Sequence, residues 1–287
     1  MEIFIQLILN SLIAGSIYAL IALGFNLIFG VVKFFDLGYG AMIVIGAYAT
    51  FYFTKIIGLN IFLAAALGVL SAGVVGLLVN RFVYQNLRKK KASNMVLLIA
   101  SLGVFTVLQA VTAILFSSQF KTLSQSVTAN VYNIFGGIVT QTQIVIFICA
   151  VVIMIALTVM LNKTKFGKAV KAIGDDEEVA KIVGINTNKI IAGVFFIGSA
   201  IAGLAGILIG FDTGIEPTMG LKLILKGVIA SIIGGIGNVY GGVLGALFLG
   251  FVENFGIWKL SGEWKDAIAF VVLILFLLFR PRGIFKK

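Results

Sequence analysis

Long apolar segments separated by short polar ones make up most of the chain. A segment of about 20 apolar residues can cross a bilayer as a helix, at about 1.5 Å of rise per residue. Two shorter apolar segments flank a glycine-rich sequence, Gly234-Gly235-Ile236-Gly237-Asn238. The pattern predicts an all-α, polytopic transmembrane bundle of about eight to nine membrane segments, with a helical hairpin near residues 221–257. The predicted segments are 4–30, 38–56, 61–84, 94–117, 141–162, 190–211, 221–235, 239–257 and 265–280.

The composition excludes a soluble protein. Of the 287 residues, 60% are hydrophobic and 11% are charged, whereas soluble domains are about 45–50% apolar and about 25% charged. The chain has no His, the commonest metal ligand, and its one cysteine, Cys149, excludes a disulfide framework. We therefore expect a single transmembrane domain over residues 1–287 without a metal site, whose first segment is a span rather than a cleavable signal peptide.

The basic residues predict the orientation of the chain. Lys and Arg accumulate in cytoplasmic loops, and 15 of the 22 basic residues lie in segments 81–91, 163–189 and 280–287. These segments, the last of which holds Arg280, Arg282, Lys286 and Lys287, are predicted to be cytoplasmic. The loop 118–140 has Lys121 as its one basic residue and is predicted to lie outside. The N-terminus lies outside if 4–30 crosses once, and inside if a glycine breaks that segment.

The ionisable residues give no sign of catalysis or of ion coupling. Glu253 is the one acid well inside a predicted span, and carriers driven by ion gradients normally need a charged group at the midplane. The sequence Phe166-Gly167-Lys168-Ala169 lacks the upstream glycine and the hydroxyl of a phosphate-binding loop. We expect no catalytic residue, nucleotide site or cofactor on this chain, so that any ATP is hydrolysed by a partner.

The loop 163–189 contains a short helix with a signal at each end. Asp175 is the predicted N-cap, and Gly184 suits the left-handed position after the C-terminus. A helix this short does not persist alone in water, so it needs a surface to dock on. That surface is a groove in a partner protein or the chain's own membrane domain, and the segment satisfies both alternatives. The candidate docking residues are Asp175, Asp176, Glu177, Val179, Ala180, Ile182, Val183 and Gly184.

Uncharged polar residues inside the spans are candidates for a solute path. They could hydrate a small, partly apolar solute, or they could form hydrogen bonds between helices, worth about 0.6 kcal/mol each on average. The candidates are Asn26, Ser101, Gln109 and Thr112.

Five motifs, in order along nearly the whole chain, resemble those of the permease subunits of branched-chain amino acid ABC importers, the leucine/isoleucine/valine type. Where that family usually has Asn-Phe-Ala-His-Gly, this chain has Lys33-Phe34-Phe35-Asp36-Leu37-Gly38-Tyr39-Gly40. The five motifs are Asn10-Ser11-Leu12-Ile13-Ala14-Gly15-Ser16-Ile17-Tyr18-Ala19-Leu20-Ile21-Ala22-Leu23-Gly24, Gly46-Ala47-Tyr48, the loop from Gly167-Lys168-Ala169-Val170-Lys171-Ala172 to Ala180-Lys181-Ile182-Val183-Gly184-Ile185-Asn186, Gly234-Gly235-Ile236-Gly237-Asn238-Val239-Tyr240-Gly241-Gly242, and Arg280-Pro281-Arg282-Gly283-Ile284-Phe285.

The resemblance implies a membrane-spanning subunit of an ATP-driven importer that moves branched-chain or other hydrophobic amino acids inward by alternating access. It implies that the short helix in 163–189 is the coupling helix, seated in a cleft of an ATPase. The implied partners are a second permease chain (identical or a paralogue), two ABC ATPase subunits that hold ATP and Mg, an extracytoplasmic solute-binding protein and the lipid of the bacterial inner membrane, with no nucleic acid. A permease for a sugar, a nucleoside or urea, and an ATPase-independent carrier or channel, remain as alternatives.

Overall fold

The computed structural model of the chain describes residues 2–124, 131–134, 136–280 and 283–285. Arg282, Lys286 and Lys287, and Pro281 of the last motif, lie outside the described residues. The helices are α1 (Glu2–Val32), α2 (Tyr39–Phe51), α3 (Ile61–Val79), α4 (Gln85–Lys89), α5 (Asn94–Phe116), α6 (Gln141–Lys163), α7 (Lys165–Asp175), α8 (Glu177–Ile182), α9 (Thr187–Asp212), α10 (Met219–Gly234), α11 (Val239–Gly256) and α12 (Lys265–Phe279). The shorter elements are π-helical turns at Tyr52–Ile56 and Asn80–Tyr84, strands β1 (Val131–Ile134) and β2 (Gly137–Thr140), and a 3₁₀ turn at Gly262–Trp264.

Within the described residues, six helices are long and apolar enough to cross a membrane. The shorter apolar helices α2, α10 and α12 pack among them. The predicted all-α polytopic bundle is thereby confirmed. These six are Glu2–Val32, Ile61–Lys89, Asn94–Phe116, Gln141–Lys163, Thr187–Asp212 and Val239–Gly256.

Helix α1 is the centre of the bundle. It is uninterrupted from Glu2 to Val32, so neither Gly24 nor Gly30 breaks it. Its middle is fully buried against α9, α10 and α11. Helices in lipid have no hydrophobic drive to associate, and small residues let their backbones approach closely. At Gly15 of α1 the chain meets the backbone of Leu247 in α11.

The connection between α1 and α2 returns into the bundle. The Tyr39 hydroxyl, at the start of α2, donates a hydrogen bond of 3.1 Å to the carbonyl of Ile21 in the middle of α1. Asp36, in this connection, is buried and accepts a hydrogen bond of 2.6 Å from the Tyr84 hydroxyl. The first connection is therefore a packed element of the core rather than a surface loop.

The predicted glycine-rich hairpin is present as α10 and α11. Gly235 and Gly237 in its turn have φ values of 109° and 81°, which favour glycine because a Cβ is strained there. Asn238 caps α11, because its side-chain carbonyl accepts hydrogen bonds of 3.1 Å from the Tyr240 and Gly241 amides. The turn lies beside Gly30, near the C-terminal end of α1.

A two-stranded antiparallel sheet was not part of the prediction. Strands β1 and β2 pair with Val131 opposite Thr140 and Ile134 opposite Gly137. The Gln6 side chain of α1 accepts a hydrogen bond from the Ile138 amide and donates one to its carbonyl, at 2.7 and 3.0 Å. The two-stranded sheet therefore rests on the N-terminal end of α1.

Candidate functional site

The two internal basic segments lie at the same end of the bundle, which we call the basic end. Arg88 of α4, in segment 81–91, forms an ion pair with Glu177 of α8, in segment 163–189. Lys181 contacts the same carboxylate at 2.9 Å. Burial raises the pKa of Glu177, but the hydrogen bond from Lys181 and the charges of Arg88 and Lys181 outweigh burial and hold this pKa below its usual range.

The N-cap of the short helix is Asp176, which corrects the prediction of Asp175. The Asp176 carboxylate accepts hydrogen bonds from the Glu178 and Val179 amides, at 2.8 and 3.0 Å. Asp175 instead ends α7, because the backbone turns extended only at Asp176. Two consecutive aspartates can both cap a helix, and the place where α7 ends decides between them. Gly184 has a φ of 85°, so its predicted left-handed conformation is confirmed.

Helix α8 presents an apolar face away from the bundle. The exposed fractions of Val179, Ile182 and Val183 are 54%, 83% and 69%, whereas Ala180 is 2% exposed. The helix therefore rests on its own domain through Ala180 and the ion pair of Glu177, and leaves its larger apolar side chains uncovered. Its contact with the membrane domain fits one of the two alternatives, and a partner groove for the exposed face stays a prediction.

The four candidate path residues do not come together. Asn26 lies in α1, whereas Ser101, Gln109 and Thr112 lie in α5. The Ser101 hydroxyl accepts a hydrogen bond from the Leu37 amide at 3.1 Å, and the Thr112 hydroxyl donates to the Leu108 carbonyl at 2.8 Å. Gln109 is half-buried. The Ser101 hydroxyl thus joins α5 to the connection before α2, as expected of helix packing, whereas the Thr112 hydroxyl bonds within α5.

Asn26 occupies a position at the basic end. Its side-chain amide donates to the Ser231 hydroxyl at 3.0 Å, and its carbonyl accepts from the Gly237 amide at 2.9 Å. It thereby joins α1 to both the last turn of α10 and the turn of the hairpin. It also lines a cavity of about 300 Å³, together with Lys171 of α7 and Asn238 of the turn.

A buried charge cluster joins α1, α10 and α11, and sequence reasoning missed it. Glu253 is 0% exposed, accepts a hydrogen bond of 2.6 Å from the Tyr18 hydroxyl and pairs with Lys226 at 3.0 Å. Lys226 also pairs with Asp266 at 2.9 Å. Lys226 was overlooked because it lies in a short segment of the hairpin rather than in a long span. A lysine inside an apolar helix was the available signal, since such a residue needs a partner.

In the described part of the chain, no three His, Cys, Asp or Glu side chains are grouped so that they could hold a metal ion. The fold and its surfaces define a class: an all-α multi-pass membrane protein with an uncovered apolar helix at the end where Lys and Arg concentrate. The sequence matches the family model described as branched-chain amino acid transport system / permease component over residues 7–277. The chain belongs to this family, and the resemblance drawn from its motifs is confirmed.

The relatives are similar along nearly their whole length. The chain is 32% identical over 297 residues to the high-affinity branched-chain amino acid transport system permease protein BraD of Pseudomonas aeruginosa, with 99% of this chain and 96% of that protein covered. It is 33% identical over 298 residues to the corresponding protein LivH of Escherichia coli K12, with the same coverage. It is also 29% identical over 260 residues to the ribose import permease protein RbsC of Haemophilus influenzae, covering 86% of this chain and 76% of that one.

Proposed function

We propose that this chain is the membrane-spanning permease subunit of an ATP-driven ABC importer that moves branched-chain or other hydrophobic amino acids inward by alternating access. The full-length similarity to branched-chain amino acid permeases supports the substrate class. The observation that carries the mechanism is α8, whose apolar side chains are exposed at the basic end. Burying a Val or Ile side chain contributes about 1.5–3 kcal/mol, so this face favours a protein partner.

The partners follow from this role. Two ABC ATPase subunits bind and hydrolyse ATP with Mg, a second permease chain (identical or a paralogue) completes the pore, and an extracytoplasmic solute-binding protein delivers the solute. The basic end faces the cytoplasm. Because α1 crosses once, the N-terminus lies outside. The described C-terminal residues support a cytoplasmic C-terminus, since the Ile284 and Phe285 amides donate to the carbonyls of Ile233 and Gly234 beside the hairpin turn.

A chain of close backbone contacts connects α8 to the interior of the bundle. Helix α7, which precedes α8, meets the carbonyl of Gly30 in α1 at Gly174, and Gly30 faces the carbonyl of Gly237 in the hairpin turn. A side chain at Gly174 would press on the α1 backbone, since its Cβ would lie 2.8 Å from that carbonyl oxygen. Closure of the ATPases on α8 would therefore displace α7, and through it α1 and the hairpin turn. This movement would open or close the path.

The test is ATP hydrolysis and leucine uptake by the chain assembled with its ATPases in lipid. The double variant Val179→Asp/Ile182→Asp places charges on the docking face and should abolish assembly and coupled hydrolysis. Leu260→Asp is the matched control, because Leu260 is also an exposed apolar residue but lies in the loop after α11, at the opposite end. Unchanged assembly of the double variant would refute docking through α8. Transport without ATPases would favour a carrier or channel, and uptake of ribose instead of leucine would favour a sugar permease.

A further inference from the structure

A second cavity, of about 370 Å³, lies at the end of the bundle opposite the basic end. It lies where α9 ends and α12 begins, and it is lined by α1 and by parts of α6, α10 and α11. Its volume is at the lower limit of ligand pockets, which span about 300–1,000 Å³. Neither the coupling role of α8 nor the cavity beside Asn26 accounts for it.

The cavity contains a carboxylate that forms no ion pair with the described residues. Asp212, the last residue of α9, is half-buried and lies beside the side chain of Gln143, which lines the same cavity. No Lys or Arg nitrogen of the described residues lies within 4.0 Å of it. Partial burial of an unpaired carboxylate is unfavourable, so this position favours a ligand with a positively charged group.

The cavity also contains an ammonium group with donors to spare. Lys265, the first residue of α12, has Glu253 as its carboxylate contact within the described residues, at 3.8 Å. This distance exceeds that of a hydrogen bond. Glu253 is already bonded to Lys226 and Tyr18 at 3.0 and 2.6 Å. The ammonium of Lys265 is therefore able to bind a carboxylate that enters the cavity.

The rest of the lining includes an aliphatic surface. Ile13 and Ile17 of α1 lie one helical turn apart, and Ile209 of α9 and Leu223 of α10 complete the surface. A ligand held by both charged groups would thus meet branched aliphatic side chains, which offer apolar contact and no hydrogen bond.

We propose that this cavity is a binding subsite for a zwitterionic α-amino acid with an aliphatic side chain. The ligand's ammonium binds Asp212, its carboxylate binds Lys265, and its side chain packs on the aliphatic surface. A sugar carries neither charge and would leave both groups unpaired, so the subsite selects against it. The inference rests on the proposed function, because it places the solute at the end where a solute-binding protein would release it.

The experiment measures ligand protection of a cysteine in the cavity. Thr213, an exposed residue of the lining, is replaced by Cys in a Cys149→Ala background, in the permease assembled with its ATPases in lipid and without the solute-binding protein. Leucine should slow the reaction of this cysteine with a maleimide, and the effect should saturate as the leucine concentration rises. Leucinamide, which lacks the carboxylate, and 4-methylpentanoate, which lacks the ammonium, should each protect about tenfold more weakly, as expected for one charge-assisted hydrogen bond.

Charge variants provide the matched comparison. Asp212→Asn and Lys265→Met should each weaken protection by leucine about tenfold. Glu216→Gln and Lys259→Met remove the same charges from exposed residues that do not line this cavity, and should leave protection unchanged. If a charge variant fails to fold, the comparison of leucine, leucinamide and 4-methylpentanoate on the permease that retains Asp212 and Lys265 still tests the proposal.

Leucine uptake by the same importer, with its solute-binding protein, separates the two proposals. Uptake without any protection by leucine would overturn the subsite and leave the proposed function standing. Equal protection by leucine, leucinamide and 4-methylpentanoate would also overturn the subsite, because the charges would then have no role. Absence of leucine uptake by the unmodified importer would overturn the proposed function itself.

Discussion

Removal of one member of the buried pair Glu253–Lys226 should destabilise the protein asymmetrically. Lys226→Met leaves the carboxylate of Glu253, which is 0% exposed, with the Tyr18 hydroxyl and a lysine 3.8 Å away. Removal of one partner of a buried ion pair costs about 3–5 kcal/mol, because the other charge stays buried without compensation. We expect a loss in this range for Lys226→Met.

Glu253→Gln should lower the free energy of unfolding by less than Lys226→Met does. Lys226 keeps Asp266 at 2.9 Å, and the amide of Gln can still accept a hydrogen bond from the Tyr18 hydroxyl. The loss is then that of hydrogen bonds to a charged group, about 1.5–3 kcal/mol. Asp266 itself is 58% exposed, so its pair with Lys226 is screened by solvent and contributes about 0–1 kcal/mol.

The double variant Lys226→Met/Glu253→Gln decides whether this reasoning is correct. It contains neither buried charge, so it should be more stable than Lys226→Met alone. This requires a coupling energy between the two changes that exceeds the cost of Glu253→Gln, about 1.5–3 kcal/mol. The assay is reversible unfolding of the purified protein by SDS in mixed micelles, with Asp266→Asn as the control on the exposed side of the cluster. Equal losses for the two single variants, or additive losses in the double variant, would refute it.

Three further predictions concern the short helix and the packing of the bundle. Asp176→Ala removes the N-cap of α8 and should destabilise this helix by about 0.5–2 kcal/mol, whereas Asp175→Ala should have little effect; amide hydrogen exchange of 177–183 distinguishes them. Since the folded pKa of Glu177 is lowered, its ion pairs stabilise α8 above the unfolded pKa of Glu, about 4.3. This contribution is lost as the pH falls through the folded pKa, so the protection factors of the α8 amides should fall in acid, and those of Glu177→Gln should not. Gly46→Ala places a methyl group against the backbone of α9 and should cost about 1–3 kcal/mol in SDS unfolding, whereas Gly103→Ala, which meets open space in α5, should stabilise by up to about 1 kcal/mol.

Local sequence signals were sufficient for the features that depend on neighbouring residues. Runs of apolar residues predict spans wherever they occur, because every backbone polar group in lipid must be satisfied within its own helix. The hairpin at Gly235–Asn238 was predictable for a similar reason, since its turn needs positive φ values that glycine adopts without strain. The left-handed conformation of Gly184 after α8 was predictable for the same reason.

Local sequence signals do not predict the features that depend on which helices are in contact. Asp175 and Asp176 have equal capping ability, and the end of α7 selected the second. The four polar candidates for a path resemble one another in sequence, but only packing shows that Asn26 bridges α1 and the hairpin while Ser101 bonds to the connection before α2.

The sequence by itself determined the membrane class, the order of the spans, the hairpin and the family, because each depends on composition or on residues adjacent along the chain. The tertiary structure alone decided that Lys226 pairs with Glu253, 27 residues away, and that Asp212 and Lys265 line one cavity. In lipid, interhelical contacts are selected by close packing and by the pairing of polar groups rather than by hydrophobicity. Such contacts leave no periodic pattern in the sequence, so they become visible only when the helices are assembled.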